Sequence, residues 1–399
     1  MAFLPIIEPL LPSHSATEKS ALPALAQELE RKAAKLEGHM RPNVKRVLTT
    51  HMRVMNSYYS NKIEGNSTHP REIRRAMSGD YSTDPAQRDL QQESLAHIAV
   101  QEWLDDGGLA GFDLFSSKAL LEIHRHFYQQ IPDTLRQVRG ADPESQAVVI
   151  PGQFRDRMVD VGLHVPPSPT EIQAYLARLQ ASYGFGTLTG VRRIIGIICC
   201  HHRLLWVHPF LDGNGRVTRL HTDLLLKEAG VGATGVWCLS RGLARNSVAY
   251  KAALAKADFG RMGDHDGRGN LSEKQLIAFC EFMMKTAIDQ VDYITGVLEL
   301  GGMLKRIEAY FQRRNQGLIP GMRSIKPQAS KLVERAFLLG EFKRSECAEI
   351  TGLGTSVTRK LVQQLKEEGL LTETSSRSPL YWAIPEHAEG FYLPGLSPD

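Results

Sequence analysis

From residue 24 to residue 313 apolar side chains recur at the three- and four-residue spacing of helices, and one stretch breaks the rhythm. Residues 43–64 show it plainly, with Val47, Leu48, Met52, Met55 and Tyr59 on one face before Gly65 and Asn66 supply a left-handed stop. Further helices are expected over 24–38, 89–104, 116–128, 170–183, 189–206, 215–229, 245–258, 272–297 and 299–313. The break lies at 147–165, where Val148-Val149-Ile150 and residues 159–165 are β-like around Pro151 and Gly152. A chain patterned this way packs helix on helix, so the expected class is all-α with one small hairpin over 148–165.

Composition sets the outer limits. With 42% hydrophobic and 23% charged residues the chain has material for a core, which excludes disordered and fibrous classes. A formal charge of +4 over 399 residues permits anionic ligands without singling out nucleic acid. The five cysteines fit no disulfide framework, so reduced thiols and a cytoplasmic location are expected. Cys199-Cys200-His201-His202 cannot converge on one ion, because adjacent helical side chains point in different directions. The N-terminal residues lack a signal-peptide pattern, and the apolar run 194–200 is too short to span a bilayer, so no membrane role is expected.

The chemistry concentrates in His208-Pro209-Phe210-Leu211-Asp212-Gly213-Asn214-Gly215-Arg216-Val217-Thr218-Arg219, between two apolar helices. Glycines at a helix start leave N–H groups pointing outward, and the helix dipole adds positive character: an anion site. Arg216 and Arg219, three apart in the first turn, bring two guanidinium forks to one face, which suits a polyphosphate better than a single carboxylate. Asp212 is placed to hold Mg²⁺ against phosphate oxygens. His208 is a candidate general base, since an imidazole titrates near neutrality. Phe210 is expected to pack the loop into the core.

These residues resemble the signature of the Fic family: His-Pro-Phe, two variable positions, Gly-Asn-Gly-Arg, two more, and Arg. The resemblance implies transfer of AMP from ATP to a Ser, Thr or Tyr hydroxyl of a protein. His208 would take the hydroxyl proton, and Asp212 would hold Mg²⁺ at the α- and β-phosphates. Gly213, Asn214 and Gly215 would cradle phosphate oxygens, and Arg216 and Arg219 would grip the β/γ end. The segment 148–165 resembles the family's flap, with Phe154-Arg155 and then Val161, Gly162, Leu163 and His164 beside the nucleotide. Its strand 159–165 would pair with an extended target segment. Arg245, Tyr250, Leu254 and Asp258 resemble the helix bordering the adenine, with Tyr250 as the stacking or hydrogen-bonding candidate. Lys251 stands where the family often has a second tyrosine. Asp264-His265-Asp266 and the residues after them are no calcium loop, because the twelfth position is Gln275 and the fifth is Arg268.

Ser60-Asn61-Lys62-Ile63-Glu64-Gly65 resembles the family's inhibitory motif. Ser60 and Glu64, four apart, share a helix face. The resemblance implies that Glu64 pairs with Arg219 and displaces the γ-phosphate, and one buried ion pair of about 3–5 kcal/mol would suppress activity by about two to three orders of magnitude.

The expected division is an N-terminal helical region to 110, a Fic core over 111–315, a Gly/Pro linker over 316–327 and a small domain over 328–399. Its three short helices and hairpin resemble a winged helix-turn-helix, with Thr355, Ser356, Thr358, Arg359 and Lys360 as candidate groove-facing residues. Acids nearly balance bases there, so DNA binding, protein contact and homodimerisation all remain open. Three readings compete for the whole chain: protein adenylylation; another transfer on the same fold, of UMP or in removal of AMP with Glu64 orienting a water; and a nucleotide-responsive DNA-binding regulator. The intact His208 disfavours the last.

Overall fold

The computed structural model describes residues 7–139, 146–162 and 164–398. It is mostly helical. In chain order the helices are α1 (His14–Lys19), α2 (Leu22–His39), α3 (Pro42–Ile63), α4 (Pro70–Met77), α5 (Pro85–Asp105), α6 (Ser117–Tyr128), α7 (Ile172–Tyr183), α8 (Val191–Val207) and α9 (Asn214–Glu228). There follow α10 (Leu239–Arg245), α11 (Ser247–Ala257), α12 (Glu273–Val297), α13 (Leu300–Asn315), α14 (Ala329–Leu339), α15 (Cys347–Thr351), α16 (Thr355–Glu367) and α17 (Glu386–Tyr392). The strands are β1 (Gln137–Arg139), β2 (Gln146–Val148), β3 (Glu341–Phe342), β4 (Leu371–Thr372) and β5 (Leu380–Trp382). Among the described residues no helix is long and apolar enough to cross a membrane.

Contacts divide the chain into two compact units, drawn differently from the linear division expected above. One comprises Met1–Ala34, Asn56–Thr234 and Cys238–Gln290, and the other Lys35–Met55, Gly235–Trp237 and Val291–Asp399. The first is built around α8. Ile194, Ile195, Ile197 and Ile198 are all buried there, because α8 is apolar on nearly every face. It packs between α7 and α9, and α9 in turn meets α5 and α6. In the second unit α13 packs on α14 and α17, and β3, β5 and β4 form one antiparallel sheet in that order. Buried Arg314 on α13 makes a two-pronged ion pair with Glu368, just past α16, at 2.6 Å on both arms. Ile319 and Ile325 are buried within the expected linker, while most of its other residues are exposed.

Two expectations need correction. The hairpin is β1–β2, with Gln137 opposite Val148 and Arg139 opposite Gln146, and does not lie over 148–165. The described residues of 159–165 form no ladder strand: a single bridge joins Val161 to His164, and Gly162 has a φ of 61°. The reason is anchoring. Positive φ at Gly152 and Gly162 turns the chain twice, and Arg155 between them and His164 just after them bond to carbonyls at the end of α8 instead of to a second strand. The helix expected over 245–258 is α11, and a further short helix, α10, precedes it, the two parted at Asn246 where φ is −119° and ψ 38°.

Candidate active site

The first unit brings the end of α8, the loop after it and the start of α9 to one place. His208 ends α8 in the left-handed conformation (φ 49°), an uncommon position for a residue with a side chain. Its amide donates to the Leu204 carbonyl at 3.0 Å. Burial lowers the imidazole to about 4, the Leu205 carbonyl opposing and the positive charge of Arg155 reinforcing. The ring is therefore neutral at physiological pH, with a lone pair available to accept a proton. Phe210 is fully buried, stacked on His124 at 4.1 Å between centroids, as expected of a packing residue.

Asn214 departs from its expected part. Its side-chain oxygen accepts from the Phe210 amide at 2.9 Å, and its amide donates to the Phe210 carbonyl at 2.8 Å. It is 4% exposed. The side chain closes the loop instead of presenting a donor to phosphate. Gly213 takes φ 82°, and a Cβ there would lie 2.8 Å from the Tyr128 ring. A side chain at Gly215 would meet Glu64 Oε1 at 2.2 Å. The two glycines thus admit Tyr128 and Glu64 close to the N-terminus of α9.

Each arginine is held by acids. Arg219 donates from Nε to Ser60 Oγ at 2.9 Å and from Nη2 to the Ser60 carbonyl at 3.0 Å and Glu64 Oε1 at 2.7 Å. Ser60 and Glu64 therefore meet Arg219 from the same face of α3 and the turn after it. Burial favours a protonated Glu64, but Arg219 and Arg216 outweigh it and hold the carboxyl below its ordinary value. Arg216 contacts Glu93 through Nη1 and Asp212 Oδ2 through Nη2 at 2.9 Å, and lies 5.1 Å over the Phe127 ring. Burial lowers its guanidinium to about 10. The Tyr128 hydroxyl donates to Asp212 Oδ2 at 2.6 Å. Burial, then the Asp212 charge, drives that phenol well above 10.

For a divalent cation the donor set fits one mode only. Among the described residues no three His, Cys, Asp or Glu side chains converge, so these residues offer no all-protein cage. Asp212 is 44% exposed, and both its hydrogen bonds fall on Oδ2. A lone, accessible carboxylate suits Mg²⁺ brought in by phosphates with water completing its shell.

Other expected contacts are placed differently. Tyr250 is 2% exposed, and its hydroxyl bonds His201 Nε2 at 2.8 Å, while His201 Nδ1 bonds Thr222 at 2.8 Å. It is a core residue behind α9 and offers no open face to a base. In the flap segment the His164 ring is bound to the Trp206 carbonyl at 2.7 Å. Val161 is half-buried and Gly162 exposed, and Leu163 lies outside the described residues. Thr358 of α16 is buried against Thr351 and Gly354, so it faces no groove, whereas Thr355, Ser356, Arg359 and Lys360 are exposed. Sequence reasoning missed Tyr128 and Glu93. Tyr128 closes an apolar helix and reads as core; Glu93 lies mid-helix and reads as solvated surface. No local pattern in the sequence marks either one.

This geometry coincides with a family match. Residues 114–226 fit the model of the Fic/DOC family, and this stretch, which includes α6 to α8, the 208–219 loop and nearly all of α9, is a Fic/DOC domain. Proteins named protein adenylyltransferase Fic are similar: that of Culex quinquefasciatus is 29% identical over 177 residues, and that of Drosophila yakuba 28% over 173. The alignments cover 44% and 43% of this chain and 32% of each relative, so the chain matches about a third of their length. Among solved structures, a Fic family protein from Desulfovibrio desulfuricans aligns over 91% of this chain and 96% of its own, with TM-score 0.54 and 18% identity. A Fic-1 fragment from C. elegans aligns over 71% and 73%, with TM-score 0.51 and 20% identity. At such identities the likeness is one of fold.

Proposed function

We propose that the protein transfers AMP from ATP to a Ser, Thr or Tyr hydroxyl of a protein, itself included, and that Glu64 restrains the reaction. The observation that supports this reading is an acid at a helix start of the kind that suits phosphate: the Glu64 carboxylate lies against Arg219 and Gly215 at the start of α9, beside the loop whose histidine is held neutral. In the forward reaction the hydroxyl oxygen bonds to the α-phosphorus as the bond to pyrophosphate breaks, and the His208 imidazole takes the hydroxyl proton. Mg²⁺, when bound, would neutralise charge on the α- and β-phosphates. Arg219, freed from Glu64, and Arg216 would hold the distal phosphates, so that catalysis is mostly positioning and charge neutralisation. The segment around Val161 and Gly162 would lie along the target. UMP transfer or AMP removal would use the same residues, and parallel incubations with each labelled nucleotide separate them.

The Glu64 side chain is 37% exposed. Solvent screening brings the pair below the value of a fully buried one, so its release should be worth about ten- to a hundredfold in rate. Glu64→Gly with Mg²⁺-ATP should raise self-labelling by that factor, and His208→Ala in the same background should abolish it. Equal labelling by wild type and Glu64→Gly would refute the restraint.

A second proposal concerns the other unit, which holds 19 Lys and Arg against 14 Asp and Glu. Its α14–α16 and three strands follow the order of a winged helix-turn-helix, and exposed Thr355, Ser356, Arg359 and Lys360 lie on α16. DNA is the partner this face suits. Fluorescence anisotropy should show salt-dependent duplex binding that Arg359→Glu with Lys360→Glu removes; unchanged binding would exclude α16 as the contact.

A further inference from the structure

A helix leaves its last carbonyls without partners from within. At the end of α8 these are the carbonyls that precede and include His208, and the segment 153–168 satisfies them with side chains. Arg155 donates from Nε to the His208 carbonyl at 2.8 Å and from Nη2 to that of Val207 at 3.5 Å, while His164 Nε2 meets that of Trp206 at 2.7 Å. The remaining arms of Arg155 reach the Arg157 carbonyl at 3.0 Å and the Pro167 carbonyl, and its backbone amide donates to the Pro209 carbonyl at 2.9 Å. Arg155 is 4% exposed, and among the described residues no carboxylate pairs with it. A buried guanidinium bound only to neutral carbonyls is costly to desolvate. Simple packing would not need one, and a lysine could not reach so many acceptors at once.

We propose that Arg155 is the positioning residue for His208: its guanidinium clamps the His208 carbonyl, holds the residue in its left-handed conformation and so aims the imidazole into the site. The proposal rests on the reading of His208 as the base. It also assigns the segment 153–168 a structural duty, that of the C-terminal cap of α8. The charged and titratable groups near the imidazole are Arg155 and His164 from that segment and Glu64 following α3. The first two disfavour a proton on the ring and Glu64 favours one.

Two substitutions, Arg155→Lys and Arg155→Gln, separate geometry from charge, each made in the Glu64→Gly background. Self-labelling kinetics give kcat and the KM for ATP. The pH dependence of carbethoxylation at His208, followed by peptide mass spectrometry, gives its protonation midpoint without any turnover. Both variants should lose about a hundredfold in kcat, the cost of a misplaced catalytic group, with KM changed less than about twofold. The His208 midpoint should rise in Arg155→Gln and stay in place in Arg155→Lys, which keeps the charge. If Arg155→Gln does not fold, the kcat of Arg155→Lys decides alone. Wild-type kcat in a folded variant, or a loss confined to KM, would overturn the proposal. Should the Glu64→Gly parent label with no nucleotide, the functional reading fails. An unmoved midpoint in folded Arg155→Gln would then overturn the positioning claim separately.

Discussion

Arg219 shows how much one side chain can hold. It is 3% exposed and spends two of its donor atoms on three acceptors, two of them from Ser60 and one from Glu64. Ser60→Ala removes only the hydroxyl, leaving the backbone contact and Glu64 in place. Self-labelling in this variant should rise by about tenfold, below that of Glu64→Gly: a hydrogen bond to a charged group is worth about 1.5–3 kcal/mol, and the bonds that remain keep the effect at the low end of that range. A Ser60→Ala rate equal to Glu64→Gly would mean that the hydroxyl, and not the carboxylate, sets the restraint. Asp212→Asn keeps the shape of the side chain and a hydrogen bond to Tyr128 but loses the anionic ligand. In the Glu64→Gly background it should lose Mg²⁺-dependent labelling, by titration against Mg²⁺ at fixed ATP, while remaining folded by circular dichroism.

At the scale of the element, the 208–219 loop was legible because its residue types and spacing are tied to chemistry, yet the work each side chain does was not. Asn214 looked like a phosphate contact and is a clamp on Phe210. Asn214→Ala leaves a buried amide and a buried carbonyl without partners, which should cost about 2–4 kcal/mol of stability, read as a shift of the denaturation midpoint at constant m-value. A change under half a kcal/mol would show that water replaces the clamp. The hairpin was misplaced for a related reason. Alternating apolar residues at 148–165 have the strand pattern, but strand formation needs a partner edge, and here the partners of Arg155 and His164 are the carbonyls of α8. Helix limits were read within a few residues, as at Tyr128, Val207 and the start of α11, while the short α10 before Asn246 was missed because seven residues carry too little periodicity to mark a helix.

For the molecule as a whole, the first unit buries His97, His124, His201, His202 and His221 and half-buries His208. Burial lowers His97 and His124 to about 3 and His208 and His221 to about 4, and it lowers His201 and His202 as well. Each folded value lies below the ordinary 6.5, so between that pH and about 4 the unfolded chain binds more protons. Stability is therefore full above pH 6.5 and falls as the pH drops through this window. Asp223, raised to about 7 by burial, acts the other way, but it is one group against six. Thermal melts from pH 7.5 to 4.5 should show a Tm that declines steeply below 6.5; a flat Tm would contradict the burial of these rings as neutral species. The helical class, the gathering of His208, Asp212 and Arg219 at one loop and helix start, and the shared face of Ser60 and Glu64 could all be read from residue order, because periodicity and short spacings are local. The seating of Glu64 on Arg219, the pairing of Glu93 with Arg216, the retreat of Tyr250 into the core and the capping of α8 by Arg155 were settled by tertiary structure alone. Each joins side chains dozens of residues or more apart, and only close packing decides which buried charge finds which partner.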